Sequence, residues 1–287
     1  MKALTPTQLR DVLSEHGFRP TKALGQHFLA DPNTARRIVD LAGITPGARV
    51  LEIGPGAGSL TVALAGAGAE VTALELDRHL LPVLADVLVR SGVEEQVTVV
   101  QADALTADFG AVLGGRPHAL VANLPYNVAV PIIMRIFGGD APIDRALVMV
   151  QREAADRLVA VPGTKDYGSV SVRLAYLATA RRVGLVPPTV FLPPPKVDSA
   201  LVELVRRAVP PVEVPARDLL FALVRQGFAQ RRKMLRRALR SYLGDRTGEV
   251  LASAGIDPTA RAESLDLGDW AALARAAGRE RWTCRER

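Results

Sequence analysis

The tetrapeptide Asn123-Leu124-Pro125-Tyr126 combines residue types that suit recognition of a planar amine. It follows an apolar run at 118–122 with the length of a buried strand, so a strand ends and a loop begins here. The Asn123 side-chain oxygen and the Leu124 carbonyl can each accept a hydrogen bond from an exocyclic amine, while Tyr126 can stack on the ring. Ligands of open α/β sheets bind at the carboxyl ends of strands. The tetrapeptide therefore predicts an adenine pocket.

A second chemical stretch is the glycine turn at 52–58. Gly54, Gly56 and Gly58 lie between a predicted strand and a predicted helix, where nucleotide-type ligands meet a helix N-terminus. The dinucleotide fingerprint G-x-G-x-x-G needs glycine or alanine at the last position, which is Ser59 here. The spacing E-x-G-x-G-x-G is instead typical of motif I of S-adenosylmethionine-dependent methyltransferases. Its glycines let the backbone approach a small cofactor.

Acidic residues end the next two predicted strands. Glu75 is placed to accept hydrogen bonds from ribose hydroxyls, and Asp103, with the backbone of Ala104, suits the amine of a cofactor adenine. Each acid taken singly could equally be a helix cap or a surface charge. Three neighbouring strand ends that carry a glycine turn, a glutamate and an aspartate together predict a cofactor site.

The elements that must position these residues alternate along the chain. Strands are predicted at 49–53, 70–76, 97–102, 118–124, 146–151, 182–186 and 200–206. Helices are predicted at 7–16, from 32, and at 59–67, 79–90, 131–137 and 153–159, and then at 219–228, 234–243, 249–254 and 270–276. Such alternation indicates an α/β fold with a mostly parallel seven-stranded sheet, helices on both faces and a closing hairpin. Together with the glycine spacing at 52–58, this pattern resembles the Rossmann-like class I methyltransferases.

A change of pattern after Pro210 predicts two domains. Residues 1–210 are expected to form the S-adenosylmethionine-binding catalytic domain, and residues 211–287 a small helical domain.

Composition limits the class of protein. The 287 residues are 48% hydrophobic and 23% charged, which is typical of a globular chain with a sizeable core. The net charge of +6 fits a polyanionic partner. Cys284 is the one cysteine, and the histidines have no ligand spacing, so we expect neither disulfides nor a metal site. No signal peptide or membrane span is predicted, and we expect a cytoplasmic protein.

With these motifs in place, the chain resembles the rRNA adenine N6-dimethyltransferases. The matching segments are 22–29, 52–58, Glu75, Asp103, 123–126, 151–153, 167–169, 191–199 and 228–233. They cover nearly the whole chain and are specific as a set. Within the family they look most similar to the KsgA/RsmA type, which dimethylates two adjacent adenosines near the 3′ end of small-subunit (16S) rRNA.

The resemblance implies individual site residues. Cofactor contacts are expected from Gln26, His27, Leu29, Gly54, Gly56, Gly58, Glu75, Asp103, Ala104 and Asn123. Many family members carry Asn where this chain has His27, and imidazole still offers a donor and an acceptor. Phe191, in the F-x-P-x-P-x-V motif, is expected to form the stacking wall opposite Tyr126, the alternative being a core aromatic beside a proline loop.

The helical domain of residues 211–287 is expected to contact RNA, and its basic segment at 230–237 is the candidate contact. Its cations are Arg231, Arg232, Lys233, Arg236 and Arg237, predicted on one helical face with Met234 and Leu235 turned inward. A charge run is most often a solvated helix face. Given the resemblance to rRNA enzymes, phosphate contact is the better prediction, by backbone and shape rather than by sequence.

Three alternatives remain open at this point. An Erm-like enzyme, which methylates an adenine of large-subunit (23S) rRNA and confers macrolide resistance, would share fold, cofactor and pocket. Leu124, the segment 230–233 and the segment 261–265 favour the small-subunit type. A non-catalytic RNA-binding factor could keep the fold, and an NAD-dependent oxidoreductase is the weakest reading given Ser59. The resemblance also implies a monomer.

Overall fold

A computed structural model describes residues 3–20, 26–116 and 118–283, and side chains within these ranges up to residue 278. Residues 22–25 of the predicted N-terminal motif and Cys284 lie outside the described residues. The strands are β1 (Phe28–Leu29), β2 (Arg49–Ile53), β3 (Glu70–Glu75), β4 (Val97–Gln101), β5 (His118–Asn123), β6 (Ile143–Gln151), β7 (Ala178–Val186), β8 (Phe191–Leu192) and β9 (Ser199–Arg206).

Helices fill most of the connections. They are α1 (Pro6–Glu15), α2 (Pro32–Leu41), α3 (Ser59–Gly66), α4 (Leu81–Ser91), α5 (Phe109–Val112), α6 (Ala129–Gly138), α7 (Arg152–Val159), α8 (Ser169–Leu177), α9 (Arg217–Ala229), α10 (Leu235–Ala238), α11 (Arg240–Leu243), α12 (Thr247–Ser253) and α13 (Leu267–Thr283). Single 3₁₀ turns lie at Glu94–Gln96, Pro188–Val190, Gly244–Arg246 and Ala262–Ser264.

Seven strands form one sheet in the order β4-β3-β2-β5-β6-β9-β7. The neighbours from β4 to β6 pair in parallel, and β9 pairs antiparallel with β6. Successive strands run outward from β2 to β4, and the chain then crosses to the other side of β2 to form β5. Such a reversal is a topological switch point, where open α/β sheets bind ligands. The predicted α/β class with a mostly parallel seven-stranded sheet is confirmed.

Burial explains why the central elements form as they do. Strand β5 has five consecutive buried residues, as expected of a parallel strand covered on both faces, whereas β4 at the sheet edge is largely exposed. Helix α2 begins as predicted, with Pro32 in its first turn and Asp31 as the N-cap that accepts hydrogen bonds from the N–H groups of Asn33 and Thr34. The position of each of these elements is therefore set by its own local sequence.

A short antiparallel ladder of β1 and β8 lies apart from the main sheet. It pairs Phe28 with Leu192 and Leu29 with Phe191. The ladder joins the end of the N-terminal motif to the proline-rich segment, which are far apart in the sequence. It thereby fixes the backbone of Phe28 and Leu29, which the functional site uses.

The helix prediction missed α5 and α8 and was wrong at 234–243. Helix α8 was not predicted, since its sequence SVSVRLAYL mixes β-branched and hydroxyl residues that weaken a helical pattern. The single helix predicted at 234–243 is divided into α10 and α11. Residues 230–234 form a turn instead of a helical face, because Met234 bridges to Arg261 and the Leu235 N–H donates to the Ala260 carbonyl.

Contacts divide the chain into two compact units. The first is Met1–Ala155 with Ala180–Arg206, and the second is Asp156–Thr179 with Arg207–Arg287. The sequence placed the break near Pro210, so α8 falls in the second unit rather than in the predicted first domain. The assignment of catalysis to one part and RNA contact to the other stays a prediction. Within the described residues, no helix is both long enough and apolar enough to cross a bilayer.

Candidate active site

A cavity opens at the carboxyl ends of β2, β3 and β5, within the first unit. The glycine turn after β2 and the tetrapeptide after β5 flank the switch point and line this cavity. Of the predicted site residues, the cavity brings together Gln26, His27, Leu29, Gly54, Gly56, Glu75, Asp103, Asn123, Leu124, Pro125 and Tyr126. Residues from five separate stretches of the sequence thus meet at one edge of the sheet.

The glycine turn requires glycine at two positions, through backbone conformation at both and also through close packing at Gly56. Gly54 and Gly56 both adopt positive φ angles, of 69° and 58°, which glycine tolerates best. A Cβ at Gly56 would come within 2.7 Å of the Phe28 ring, and one at Gly54 within 3.4 Å of the Pro125 ring. The turn therefore presents bare backbone to the cavity and packs against the tetrapeptide.

Glu75 ties the end of β3 to this turn. One carboxylate oxygen accepts a hydrogen bond of 3.1 Å from the Gly56 N–H, and the other accepts one of 2.9 Å from the Asp77 N–H. Burial raises the pKa of the Glu75 carboxyl, and these backbone donors oppose the rise. A carboxylate has further lone pairs beyond the two in use, so Glu75 can still accept hydroxyl donors from a ligand.

Glu52 is a cavity residue that the sequence reasoning did not assign. It lies at the fourth position of β2, is 1% exposed, and its Oε2 has no hydrogen-bond partner among the described residues. Burial raises its pKa to about 8, and the nearby charge of Glu75 adds to the rise. A carboxyl among the apolar residues of this strand, two residues before Gly54, was the signal available in the sequence.

The loop after β4 forms the far side of the cavity. The Asp103 carboxylate accepts a hydrogen bond of 2.8 Å from the Leu105 N–H. From α6, Arg135 donates to the carbonyls of Ala104 and Ala107, and its guanidinium carbon lies 4.8 Å from the centre of the Phe109 ring. Arg135 thus fastens the Asp103 loop to the helix that follows the tetrapeptide, which no motif had indicated.

Two apolar side chains at the cavity were also missed. Leu76, 55% exposed, follows Glu75, and Leu105, 37% exposed, follows the Asp103 loop, and both line the cavity. Exposed leucines at the ends of neighbouring strands offer apolar surfaces to a flat ligand ring. An apolar residue just after each strand-end acid would have been the sequence signal.

The Asn123 amide is held in one orientation. Its Nδ2 donates a hydrogen bond of 3.1 Å to the His27 carbonyl, so the amide cannot be turned over without losing that acceptor. Its Oδ1 is buried and has no hydrogen-bond partner among the described residues. An unsatisfied buried acceptor costs about 1–3 kcal/mol. A ligand N–H would offset that cost.

Tyr126 and His27 form a stacked pair at the cavity. Their ring centres are 5.5 Å apart with an interplanar angle of 27°. The His27 Nδ1 donates a hydrogen bond of 2.8 Å to the Pro193 carbonyl, and the Tyr126 hydroxyl shares one with Ser199. Burial raises the pKa of the Tyr126 phenol, which therefore stays neutral. Gln26 donates to Asp77 on the opposite wall.

Three predicted site residues do not line the cavity. Gly58 turns toward α4, where a Cβ would come within 2.8 Å of Leu84. Ala104 is 7% exposed and meets Arg135 through its carbonyl. Phe191 is 4% exposed in the hydrophobic core, because its backbone pairs with Leu29 in the β1–β8 ladder. In this structure Phe191 matches the alternative of a core aromatic, not a second stacking wall.

The basic segment lies in the second unit and divides into two kinds of residue. Arg231 is engaged, with its Nε 2.8 Å from Glu263 and its Nη2 2.8 Å from the Lys165 carbonyl. By contrast, Arg232, Lys233, Arg236 and Arg237 are exposed. The segments 230–233 and 261–265, which were separate motifs in the sequence, are therefore bonded to each other.

The sheet order and the cavity at its switch point define a class I methyltransferase. A family model described as Ribosomal RNA adenine dimethylase matches residues 17–277. The chain is 48% identical over 281 residues to the Ribosomal RNA small subunit methyltransferase A of Cutibacterium acnes, with 95% of this chain and 94% of that protein covered. The chain belongs to the ribosomal RNA adenine dimethylase family, as its sequence motifs predicted.

Solved structures agree with this membership. The 23S rRNA methyltransferase ErmE superimposes with a TM-score of 0.64 and 32% identity, covering 88% of this chain and 99% of that one. A dimethyladenosine transferase from Plasmodium falciparum superimposes with a TM-score of 0.67 and 24% identity, covering 86% of this chain and 96% of that one. The latter likeness supports the fold alone.

Proposed function

We propose that the protein transfers methyl groups from S-adenosylmethionine to the N6 amines of two adjacent adenosines near the 3′ end of 16S rRNA, in a small ribosomal subunit or its precursor. The observation that carries this proposal is the buried Asn123 Oδ1 without a partner, fixed at the cavity by the bond from its own Nδ2 to His27. An acceptor held in this way is suited to an amine donor.

The residues present fit the cofactor of the family. The charged acidic residues at the cavity are Glu75, Asp77 and Asp103, beside the protonated Glu52, and no lysine or arginine occurs among the described residues that line it. This charge suits a cationic cofactor and opposes the pyrophosphate of a dinucleotide. When bound, S-adenosylmethionine supplies an electrophilic methyl group on a sulfonium sulfur.

Each wall of the cavity has a role in holding that cofactor. We assign the ribose hydroxyls to Glu75 and the adenine amine to Asp103, with Leu76 and Leu105 on the faces of the ring. The backbone of Gly54 and Gly56 can approach the rest of the cofactor closely, because glycine has no Cβ. Residues 26–29 close the other side of the cavity.

The tetrapeptide acts on the target base. The Asn123 Oδ1 and the Leu124 carbonyl accept the two hydrogens of the adenine amine, which draws its nitrogen away from planarity and exposes its lone pair. Tyr126 stacks on the purine, and the base must leave its helix or be unpaired to reach it. Rate enhancement then comes from positioning and from carbonyl dipoles that stabilise the positive charge developing on nitrogen.

No general base is required in this scheme. Once alkylated, the amine is strongly acidic and loses its proton to water or through Asn123. The second transfer needs only one hydrogen to be accepted, because the monomethylated amine has one hydrogen and one methyl group. A site with two separate acceptors tolerates that loss.

We assign RNA contact to Arg232, Lys233, Arg236 and Arg237, which are exposed cations. Arg231 is excluded from this set because it is bonded to Glu263 and to the Lys165 carbonyl. Cations of this kind bind phosphates without reading sequence, so affinity should fall steeply with salt. The protein is expected to act as a monomer in the cytoplasm, where its ribosomal substrate is assembled.

The experiment uses purified small and large ribosomal subunits from cells that lack the enzyme, with S-adenosylmethionine labelled with tritium on its methyl group. We expect label in 16S rRNA at two adjacent adenosines, recovered as dimethyladenosine after digestion. Label confined to 23S rRNA would favour the Erm-like alternative. Cofactor binding without transfer to either RNA would favour the non-catalytic factor.

A further inference from the structure

Ser199 is the first residue of β9, and its side chain is fully buried, at 0% exposure. The position is rigid because its backbone pairs with Gln151 at the end of β6. The Ser199 Oγ lies within hydrogen-bond distance of the Tyr126 hydroxyl. A hydroxyl placed by the sheet thus reaches one side chain of the candidate active site.

The Tyr126 ring is fixed at a second point as well. The imidazole of His27 stacks on it, and the His27 Nδ1 donates to the carbonyl of Pro193. Pro193 and Ser199 belong to the same segment, 191–199, in which the sequence motif predicted a site role only for Phe191. That segment therefore contacts the tyrosine directly through Ser199 and indirectly through Pro193 and His27, while Phe191 lies in the core.

A tyrosine held only by packing can swing about its side-chain torsions. A hydrogen bond at the phenol and a second ring stacked on one face restrict the Tyr126 ring to a single plane. Fixing that plane in advance lowers the entropy lost when a base stacks on it.

We propose that Ser199 is a positioning residue for the target base, which fixes the plane of Tyr126 so that the ring face turned away from His27 receives the adenine. This inference rests on the proposed function, since it assumes that Tyr126 stacks on the methylated base. Ser199 itself touches neither base nor cofactor. Its effect passes entirely through the Tyr126 hydroxyl.

The test compares Ser199→Ala, Tyr126→Phe and the double variant in methylation of 16S rRNA within small subunits. Each single variant should lower kcat/KM between about 10-fold and 100-fold, since a misplaced reacting group costs that much. The double variant should be no worse than the poorer single variant, because both remove the same bond. Calorimetry should give wild-type affinity for S-adenosylmethionine.

Ser171→Ala is the matched control. Ser171 is also a buried serine, at 2% exposure, and its Oγ donates a hydrogen bond of 2.7 Å to the Arg157 carbonyl within the second unit. We expect this variant to lose thermal stability without losing kcat/KM. If Ser199→Ala fails to fold, Tyr126→Phe removes the same bond from the other end and keeps the test intact.

Outcomes separate this inference from the proposed function. Additive losses in the double variant, or wild-type kcat/KM in either single variant, would overturn the role of Ser199. Tyr126→Ala addresses the proposed function, because removal of the ring should abolish most transfer. Full activity of Tyr126→Ala would contradict the proposed base site itself. If Tyr126→Ala is inactive while Ser199→Ala keeps wild-type activity, only the positioning role of Ser199 is contradicted.

Discussion

The cavity in the first unit and the basic segment in the second differ in how the fold treats polar groups. At the cavity, Glu52 and Asn123 each bury an oxygen without a hydrogen-bond partner among the described residues. Along the basic segment, Arg232 and Lys233 are exposed. Burying unpaired oxygens lowers the stability of the first region, and a bound ligand can remove that cost. Exposed cations in the second region cost little stability, because water solvates them.

This difference separates chemistry from attachment. Buried groups that are fixed before binding act through geometry, so the loss of one should have a large effect that no neighbour replaces. Exposed cations act through summed charge, so each loss should be small and sensitive to salt. The predictions that follow test the comparison from its largest expected effect to its smallest.

Replacing Asn123 by Ala should produce the largest loss. We expect kcat to fall by about 10²–10³-fold, because an acceptor for the amine hydrogens and for the developing charge disappears. Single-turnover transfer to small subunits measures this effect, and calorimetry should find cofactor binding partly retained. Asn33→Ala, an exposed asparagine in α2, is the matched control and should transfer at the wild-type rate. Undiminished turnover of Asn123→Ala would refute the role.

Glu52 should make the stability of the free protein depend on pH. In the folded chain burial raises its pKa from 4.5 to about 8, so the folded state holds a proton that the unfolded state has released. The free energy of unfolding should therefore fall as pH rises between these values, by at most about 1.4 kcal/mol per pH unit from this group.

Urea unfolding at several pH values measures that slope. Glu52→Gln should flatten it, since glutamine does not ionise, whereas Glu94→Gln, at an exposed glutamate, should leave it unchanged. Equal slopes in the wild type and in Glu52→Gln would mean that the buried carboxyl does not hold its proton.

The basic segment should give the smallest effects, and they should differ within it. Arg232→Ala and Lys233→Ala should each weaken RNA binding a few-fold and lower the slope of log affinity against log salt by about 0.7–0.9. Arg231→Ala should instead lower the free energy of unfolding by about 1–2 kcal/mol, through lost bonds to Glu263 and Lys165. Salt titrations and urea unfolding distinguish the two. A reduced salt slope in Arg231→Ala with unchanged stability would reverse the assignment.

Much of the fold could be predicted because local chemistry decided it. Strand β5 is an unbroken apolar run, and α2 begins at an aspartate followed by proline. Helix α8 lacked such signals, and the turn at 230–234 depends on a bridge between Met234 and Arg261 that are distant in sequence. Tertiary contacts of this kind have no local pattern to reveal them.

The candidate site divides in the same way. Glu75, Asp103 and Asn123 could be found because each ends a strand, and parallel strands bring their ends together. The prediction for Phe191 rested on its motif, but in the structure this residue pairs with Leu29 and its side chain packs in the hydrophobic core. Arg135 and Ser199 were missed because their partners, the Ala104 carbonyl and the Tyr126 hydroxyl, are reached only through the fold.

The most direct measurement is a crystal structure of the protein with S-adenosylhomocysteine and a short RNA that contains the two target adenosines. The Asn123 Oδ1 and the Leu124 carbonyl oxygen should each lie about 2.7–3.2 Å from the amine nitrogen of one adenine, with Tyr126 stacked on that ring. An adenine bound elsewhere, with the Asn123 Oδ1 still lacking a donor, would contradict the account.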